Sequence, residues 1–321
     1  MTSVFESSPI RVGVSSCLVG EHVRYDGGHK HDRYITDILG RYFNLLPVCP
    51  EVGCGMPTPR EAMRLEGDPA DPRLMTRLSR VDKTDQMLEF CADKVRELES
   101  ADLCGFIFKK DSPSSGLWRV KVYDSKGVPK KNGSGLFASA VARSFPLLPI
   151  EEEGRMNDPY IRENFIERVF SWRRWKDFLL GDPGLGELVK FHTHHKLLVM
   201  SHSPKIYREM GVLVAHGREM KSEELFRCYE ELLMKSLGLH ATAKKNTDVL
   251  MHIMGYFKKD LSHAEKSELL ETIGQYHDRL VPLLVPLTLL KHYVTKYDQA
   301  YLKQQVYLAP HPAELMLRNH V

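Results

Sequence analysis

The sequence predicts an α/β protein: a Rossmann-like N-terminal domain with a mainly parallel sheet, followed by an all-α C-terminal domain. Three observations support this prediction. Short apolar runs alternate with helix-length segments in the first half of the 321 residues, and long helical periods without convincing strands fill the second half. A run rich in proline and glutamate, at 146–154, separates the two patterns. Alternating strands and helices are typical of layered folds built on parallel sheets.

Two domains are therefore expected, at residues 1–150 and 156–321, which suits the roughly 100–200 residues of a typical domain. A composition of 42% hydrophobic and 27% charged residues is ordinary for a globular protein with a packed core. No apolar run approaches the ~18–20 residues of a membrane span, and the first residues show no secretory signal. We expect a cytoplasmic protein with no membrane partner, and no protein partner is evident.

The first half contains the strands and helices of the expected layered domain. The predicted strands are 10–14, 44–48, 104–109 and 118–123, and the predicted helices are 31–42, 82–98 and 135–145. In the first of these helices Tyr34, Ile38 and Tyr42 are spaced four apart. In the second, Met87, Phe90, Cys91, Val95 and Leu98 share one face.

The second half predicts a series of helices. Their expected bounds are 159–180, 184–200, 203–216, 221–238, 240–259, 262–280 and 283–297. The first begins with Pro159 after Asn157 and Asp158, where proline suits the first helical turn. The clear breaks are the proline-containing segments 181–184 and 201–204.

Three segments follow predicted strands and are rich in glycine, proline and serine: 15–20, 49–55 and 110–116. Ligands bind outside the carboxyl ends of the strands in an open α/β sheet, so these segments can converge on one site. Cys17 and Cys49 lie at strand ends, and Cys54 lies within the second loop. Thiolates on tight loops suit an iron–sulfur cluster or zinc, although no Cys-x2-Cys pair of a structural zinc site occurs. The alternative is that each cysteine is a small buried hydrophobe.

The motifs at these strand ends resemble the thiouracil desulfurase (TudS) family. They are, in collinear order over residues 10–145, Val14-Ser15-Ser16-Cys17-Leu18-Val19-Gly20, Val23-Arg24-Tyr25-Asp26-Gly27, Cys49-Pro50-Glu51-Val52, Thr58-Pro59-Arg60, and Ser112-Pro113-Ser114 with Gly116. The second half resembles the helical YbgA-like domain, through Arg162-Glu163-Asn164-Phe165, His192-Thr193-His194-His195-Lys196 and Gly255-Tyr256-Phe257. The combination resembles the tRNA thiouridine desulfidases (RudS).

The resemblance implies a [4Fe–4S] cluster held by three cysteines, with a fourth iron free to take the sulfur of a thiocarbonyl. Water then replaces sulfur at the ring carbon without any redox change. A thiocarbonyl sulfur is a soft ligand for iron, and binding makes its carbon more electrophilic. A positioned carboxylate can help to deliver the water.

Carried over by position, Cys17 and Cys49 match two cluster ligands, Glu51 the carboxylate beside the open iron, and Ser112 a serine of the substrate pocket. The third ligand of the family falls at Ser115, which is a departure from the pattern. Two cysteines are nearby replacements. At ~3.3 Å per residue, Cys104 lies ~20 Å from the loop, whereas Cys54 is in a loop already at the site. We predict Cys17, Cys49 and Cys54 as the cluster and metal ligands, with Ser115 as an oxygen ligand or a lost cluster left open.

Two further features have both a structural and a functional interpretation. Arg60 could hold a carboxylate such as Glu51 or contact a substrate phosphate. His192 and His195 could share a helix face, but a packed or RNA-contacting role is favoured over a metal site. Cys91 and Cys228 fit apolar helix faces and are expected in the core.

The helical half is the expected docking region for tRNA, because basic and aromatic residues interleave there. Residues 1–155 are neutral, whereas 156–321 carry the net charge of +3. The candidate RNA-binding residues are Arg173, Arg174, Lys190, His194, Lys196, Lys244, Lys245, Lys258 and Lys259. Trp172 and Trp175 are expected to face the core, with the arginines solvated on the other side.

The leading hypothesis is an iron–sulfur enzyme that converts thiouridine in tRNA to uridine, with catalysis in the first domain and RNA docking in the second. The first alternative is a desulfurase of free thiouracil or another small thio-compound. The second is a non-catalytic binding or regulatory module with a degenerate cluster site, which the serine at position 115 motivates.

Overall fold

The computed structural model describes residues 9–320, and the chain divides into two compact units between Asp158 and Pro159. The strands described all belong to the first unit. They are β1 (Ile10–Ser15), β2 (Phe43–Val48), β3 (Met63–Asp68), β4 (Asp71–Thr76), β5 (Leu103–Phe108), β6 (Val120–Tyr123), β7 (Pro129–Gly133) and β8 (Ile150–Glu152).

A four-stranded parallel sheet with the order β2–β1–β5–β8 forms the centre of this unit, as the sequence predicts. All six residues of β5 are buried, which is typical of a strand covered on both faces. Ser15 is in register with Val48, and Val14 with Ile107. The carboxyl ends of β1, β2 and β5 therefore share one edge of the sheet.

The glutamate run at 151–153, expected to separate the domains, instead supplies most of the edge strand β8. Glu152 is 3% exposed, and its Oε1 accepts the backbone N–H groups of Leu117 at 2.8 Å and Trp118 at 3.2 Å. Glu151 is also buried and accepts a hydrogen bond from Arg155 at 2.8 Å. Carboxylates paired in this way can lie inside a sheet, because each buried acceptor has a donor.

A second four-stranded sheet has the order β4–β3–β6–β7, with only β3 and β6 parallel. The predicted strand at 118–123 is shorter, and it lies here instead of in the parallel sheet. The left-handed φ of 56° at Arg119 turns the chain just before β6. Strands β3, β4 and β7 were not predicted from the sequence. The last has no apolar side chain inside the strand except its proline, so it forms through pairing with β6 and not through a hydrophobic pattern.

Three helices complete the first unit: α1 (Pro50–Gly53), α2 (Thr84–Ser100) and α3 (Leu136–Ser144). The core face of α2 confirms the predicted period, with Met87, Cys91, Val95 and Leu98 buried and Phe90 half-buried.

The predicted helix at 31–42 is instead one π-helical turn, Tyr34–Ile38, followed by a 3-10 turn, Leu39–Arg41. Ile35 and Leu39 are the buried residues of this segment, so the face predicted from Tyr34, Ile38 and Tyr42 was shifted by one position. Ile35 and Leu39 have the same four-residue spacing as the tyrosine-containing set, and periodicity alone does not choose between two such faces.

The second unit is helical, as predicted. Its helices are α4 (Pro159–Leu180), α5 (Leu185–His202), α6 (Pro204–Ala215), α7 (Ser222–Leu237), α8 (Ala243–Met254), α9 (His263–His277), α10 (Leu284–Lys296) and α11 (Ala300–Lys303). Trp175 is fully buried and stacks on Tyr229 and Phe178, with ring centroids 5.1 and 5.2 Å away. Trp172 is buried too, which confirms that both tryptophans face the core.

Within residues 9–320, none of the helices combines the length and the apolar character that crossing a membrane requires.

Candidate active site

A cavity of about 470 Å³ lies at the carboxyl edge of the parallel sheet, where the loops after β1, β2 and β5 converge as predicted. Residues from all three loops line it. They include Ser15, Ser16 and Cys17, then Cys49, Pro50 and Glu51, then Lys109, Lys110, Asp111, Ser112, Pro113, Ser114 and Ser115. β3 and its flanking residues contribute Ala62, Met63 and Arg64.

Two thiols lie on the cavity wall. Cys17 is in the 3-10 turn Ser16–Val19 directly after β1, and Cys49 is the residue between β2 and α1. Burial raises the pKa of Cys17 to about 11, against the opposing effect of the Lys109 ammonium. Burial also raises the pKa of Cys49, whose Sγ donates to the carbonyl oxygen of Val23 at 3.9 Å. A raised pKa favours the neutral thiol, and binding of a metal to the sulfur displaces its proton.

Glu51 extends from the first turn of α1, which Pro50 begins and Cys49 caps. Its Oε1 accepts a hydrogen bond from the hydroxyl of Ser114 at 2.8 Å, and its Oε2 is paired with the guanidinium of Arg60. With only 13% of its side chain exposed, the carboxylate is held in one orientation beside the cysteines.

Arg60 positions this carboxylate, which settles the choice left open by the sequence in favour of holding Glu51. Its side chain is 5% exposed, and Nη2 also donates to the carbonyl oxygen of Val23 at 2.9 Å. Its Nη1 donates to Pro57 and Thr58, each at 3.3 Å. A guanidinium with this many protein acceptors has little capacity left for a substrate phosphate.

Ser112 organises the third loop. Its Oγ accepts the backbone N–H groups of Ser114 at 3.3 Å and Ser115 at 3.1 Å, and it lies 2.9 Å from the hydroxyl oxygen of Ser114. The loop carbonyls in turn accept N–H groups at the start of α3, where Phe137 donates to Ser114 at 2.9 Å. Ser112, predicted as a catalytic residue, therefore lines the cavity and also shapes the loop that carries Ser114 and Ser115.

The structure does not bring Cys54 into the cavity; the third loop places Ser115 there, 4% exposed. This placement disfavours Cys54 as the third ligand, which stays a prediction. Cys54 follows Cys49 by five residues across a helical turn, and at about 100° per residue it lies on the other side of α1. Its Sγ donates to the carbonyl oxygen of Glu51 at 3.3 Å, and Gln86 of α2 binds its own carbonyl oxygen at 2.6 Å.

The other cysteines lie away from the cavity lining. Cys104 is fully buried near the start of β5, at the edge of the sheet opposite the cavity. Cys91 is buried on α2 as predicted, and Cys228 is half-buried on α7. In the described part of the chain, no group of three or more His, Cys, Asp or Glu side chains surrounds a single metal position. A cluster does not require such a group, since its cysteines bind different irons.

The cavity is strongly cationic, which the sequence analysis missed. Seven cations line it against the carboxylates of Glu51 and Asp111: Arg24, Lys30, Arg60, Arg64, Arg77, Lys109 and Lys110. Five of them have a carboxylate partner, in the pairs Arg24–Asp26, Arg60–Glu51, Arg64–Glu66, Lys109–Glu153 and Lys110–Asp111. Lys30 and Arg77 are exposed and have no ion pair with any residue from 9 to 320. Because Arg64 and Arg77 sit on or beside the unpredicted second sheet, sequence spacing offered no signal for this cluster.

Aromatic side chains accompany these cations. The guanidinium of Arg64 lies 4.5 Å from the ring centroid of Tyr123, and that of Arg24 lies 5.5 Å from the ring of Tyr25. Tyr25 is 45% exposed and lines the cavity together with Tyr123. Exposed rings beside cations are the surfaces on which nucleic-acid bases stack.

The predicted RNA-binding residues of the helical unit fall into two groups, those held inside the fold and those that reach the surface. Arg173 is 2% exposed and pairs with Asp177, and Arg174 donates to the carbonyl oxygen of Pro310. These two predictions are wrong, because α4 is covered on the face that was expected to be solvated. Lys245 is half-buried, and its Nζ donates to the carbonyl oxygens of His202 at 2.7 Å and His240 at 2.8 Å.

The remaining candidates reach the surface to different degrees. His194 bonds Gln304 at 2.9 Å, and the ammonium of Lys196 lies 5.1 Å from the ring centroid of Tyr301. Lys190, Lys244, Lys258 and Lys259 are exposed. The two histidines considered for metal binding are both packed: His192 lies 3.3 Å from the hydroxyl of Tyr229, and His195 donates to Phe191 at 2.8 Å.

Comparison with known proteins accounts for both units. Residues 12–153 match the family model described as 2-thiouracil desulfurase, and residues 196–312 match a protein family of unknown function, DUF1722. The uncharacterized protein YbgA of Escherichia coli is 32% identical over 135 residues, which are 42% of this chain and 80% of that protein. The chain therefore belongs to the YbgA family, and its first unit is similar to the 2-thiouracil desulfurase family.

Two further proteins are similar to part of this chain. The uncharacterized protein YbbK of Bacillus subtilis is 28% identical over 137 residues, which are 41% of this chain and 89% of that protein. A solved structure of a [4Fe–4S]-dependent thiouracil desulfidase, TudS, is 27% identical. The match covers 46% of this chain and 94% of that one, with a TM-score of 0.38.

Proposed function

We propose that this protein removes the sulfur from thiouridine in tRNA, with a [4Fe–4S] cluster as its cofactor. The observation that carries the proposal is one cavity that combines two thiols, an oriented carboxylate and an excess of cations. The match of residues 12–153 to the 2-thiouracil desulfurase family supports the chemistry. The cations of the cavity support a polyanionic substrate.

The residues of the cavity fit an iron–sulfur cluster in their donor chemistry. Cys17 and Cys49 would hold it, since thiolates are the ligands that iron–sulfur clusters take. Cys17 is buried and Cys49 half-buried, and neither is engaged in a disulfide. When bound, such a cluster supplies an open, sulfur-seeking iron that polarises a thiocarbonyl.

The overall reaction is a hydrolysis. Water adds to the ring carbon, the carbon–sulfur bond breaks, and sulfur leaves as hydrogen sulfide while a carbonyl oxygen replaces it. No electrons are gained or lost in the balance, so the reaction needs no external reductant or oxidant.

Glu51 is the base that takes a proton from the attacking water. Its carboxylate is fixed by Ser114 on one oxygen and Arg60 on the other, so its remaining lone pairs have defined directions in the cavity. A base held in place contributes by orientation as well as by proton transfer. Arg60 and Ser114 thus act as positioning residues for Glu51.

Lys30 and Arg77 are the groups that favour tRNA over a free base. Both line the cavity, both are exposed, and neither has a carboxylate partner in the described chain. Unpaired cations around a pocket attract phosphates, and Tyr25 and Tyr123 add surfaces for a neighbouring base. The exposed lysines 190, 244, 258 and 259 of the helical unit extend the candidate RNA-binding residues beyond the cavity.

A desulfurase of free thiouracil is the second candidate, and the description of the matched family favours it. A cavity of about 470 Å³ is large enough for a single pyrimidine ring. In that case the cations around the cavity would not be needed for binding.

The deciding experiment compares the two substrates with anaerobically reconstituted protein. Nucleoside analysis of bulk tRNA before and after incubation should show loss of thiouridine, and sulfide should appear in equal amount. Free 2-thiouracil should be converted poorly at the same enzyme concentration. Rapid conversion of 2-thiouracil with no change in tRNA would replace the tRNA proposal by the small-molecule one. Iron-free protein after reconstitution, inactive on both, would leave only a binding module.

A further inference from the structure

We propose that the third ligand of the cluster in this protein is the hydroxyl oxygen of Ser115, which makes a mixed set of two thiolates and one alkoxide. The inference rests on the proposed function, since it assumes that a cluster binds in the cavity. It assigns to this chain a ligand that the sequence analysis placed on Cys54.

The hydroxyl groups of the third loop are not equivalent. Ser112 Oγ accepts two backbone N–H groups, so it is part of the loop framework. Ser114 Oγ donates to Glu51 at 2.8 Å. Ser115 Oγ has only a contact of 3.5 Å to Ser114, which is at the outer limit of a hydrogen bond. Of the three serines on this loop, Ser115 is therefore the one whose hydroxyl is left for a ligand.

The loop holds Ser115 firmly in that position. Gly135 donates its N–H to Gly116 at 2.7 Å, and a Cβ built on Gly135 would lie 2.5 Å from the backbone carbon of Ser114. Gly116 itself donates to Ser112 at 2.8 Å. A loop packed this tightly against the start of α3 does not move to let a more distant residue replace Ser115.

Cys54 is the competing donor, and its surroundings argue against it. Its thiol donates to the carbonyl oxygen of Glu51, and its backbone is tied to α2 through Gln86. To reach the cavity, the sulfur of Cys54 would have to give up its contact with the carbonyl oxygen of Glu51, the residue that supplies the carboxylate of the site.

The coordination step is balanced without a redox partner. The O–H bond of Ser115 breaks, its proton passes to water, and the oxygen forms a bond to iron in place of a thiolate. Alkoxide is a harder and more basic ligand than thiolate, so it stabilises the oxidised cluster more than the reduced one. A serine-ligated cluster should therefore have a lower reduction potential than the same cluster with three cysteines.

The test is anaerobic reconstitution with iron and sulfide of the full chain and three variants: Ser115→Ala, Ser115→Cys and Cys54→Ala. Iron and sulfide content, Mössbauer spectra of ⁵⁷Fe-loaded protein and the reduction potential are measured, and circular dichroism confirms folding. Ser114→Ala is the matched control for loss of a neighbouring hydroxyl.

We expect full iron in the native protein, Ser115→Cys, Cys54→Ala and Ser114→Ala, and loss of most of the iron in Ser115→Ala. Ser115→Cys should remove the spectral component of the oxygen-bound iron and raise the potential. Native-like iron content and spectra in Ser115→Ala would overturn the inference, as would loss of the cluster in Cys54→Ala. A cluster in Ser115→Cys but none in the native protein would overturn it too. If even Ser115→Cys binds no iron, the proposed function fails and the inference fails with it.

Discussion

Buried and half-buried charges gather in two regions of this molecule, the cavity of the first unit and a cluster in the second that we call the buried ion cluster (Glu163, Glu167, His202 and Arg318). In the buried ion cluster the charges pair with each other. Glu167 is 3% exposed and contacts His202 Nε2 at 2.5 Å and Arg318 Nη2 at 3.0 Å. The other nitrogen of His202 bonds the carbonyl oxygen of Leu239 at 2.6 Å, and Arg318 donates to Tyr307 at 2.6 Å.

The cavity differs because some of its polar groups have no such partner. Cys17 and Cys49 are thiols without a strong acceptor, and Lys30 and Arg77 lack a carboxylate among the residues described. The contrast separates two uses of polar groups. Charges that satisfy each other stabilise the fold, and groups left without partners are available to a ligand. We therefore expect substitutions in the cavity to change activity and substitutions in the buried ion cluster to change stability.

The largest effect should follow from Glu51→Gln. Glutamine keeps the shape of the side chain and can still accept the hydrogen bond of Ser114, but it cannot take a proton from water. We expect kcat on tRNA to fall by roughly 10²–10⁴-fold with iron content unchanged. The melting temperature should also fall, because the buried Arg60 loses its charged partner. Glu89→Gln, on the exposed face of α2, is the matched control. Turnover within a few-fold of the native protein would remove Glu51 from the mechanism.

Next in size is Glu167→Ala, which should break the buried ion cluster. It leaves His202 and Arg318 buried without their shared carboxylate. We expect a loss of about 3–5 kcal/mol in the free energy of unfolding, measured by urea denaturation, as for a buried pair that loses one partner. Glu224→Ala, exposed on α7, should change stability little. Equal stability of Glu167→Ala and Glu224→Ala would contradict a structural role for the buried ion cluster.

The free energy of unfolding should depend on pH, because burial of the Glu163 carboxylate is unfavourable even inside the buried ion cluster. Burial raises the pKa of Glu163 from 4.5 to about 7, in spite of Arg318. The folded state then keeps a proton that the unfolded state loses, so stability should fall as pH rises from about 4.5 to 7. Glu163→Gln should flatten this fall and give the more stable protein above pH 7.

Glu167 provides the contrast within the same cluster. Its pKa is lowered to about 2, because the attraction of His202 and Arg318 outweighs burial. The stabilisation of the folded state by the ionised Glu167 should therefore be present above pH 4.5 and be lost as the pH falls towards 2. Urea titrations of the native protein and Glu163→Gln between pH 5 and 8 check the prediction for Glu163, and parallel curves would contradict it.

The smallest effect concerns the two unpaired cations of the cavity. Lys30→Ala and Arg77→Ala should each raise KM for tRNA a few-fold and reduce the slope of log K against log salt by about one. Conversion of free 2-thiouracil should not change, because it carries no phosphate. Lys130→Ala, exposed on β7, is the control, and Lys244→Ala tests the helical unit. A reduced salt slope only in Lys244→Ala would place the phosphate contacts on the helical unit instead.

Much of the architecture could be predicted from local pattern. The buried run of β5, the period of α2 and the helices of the second unit repeat at spacings that a sequence displays directly. The convergence of the cysteine loops also followed, because parallel strands bring their carboxyl ends to one edge. The second sheet could not be predicted from the sequence, because β7 has almost no apolar pattern and forms only by pairing with β6.

The sequence by itself therefore determined the α/β and helical halves, the edge of the sheet where chemistry is possible, and Cys17, Cys49 and Glu51 as residues at that edge. Only the tertiary structure decided that Cys54 faces away and Ser115 faces the cavity, that Arg173 is buried, and that Arg77 lies at the cavity. The physical reason is the same each time. Spacing along the chain gives proximity, but the direction of a side chain depends on the turn that follows the strand and on the surface packed against it.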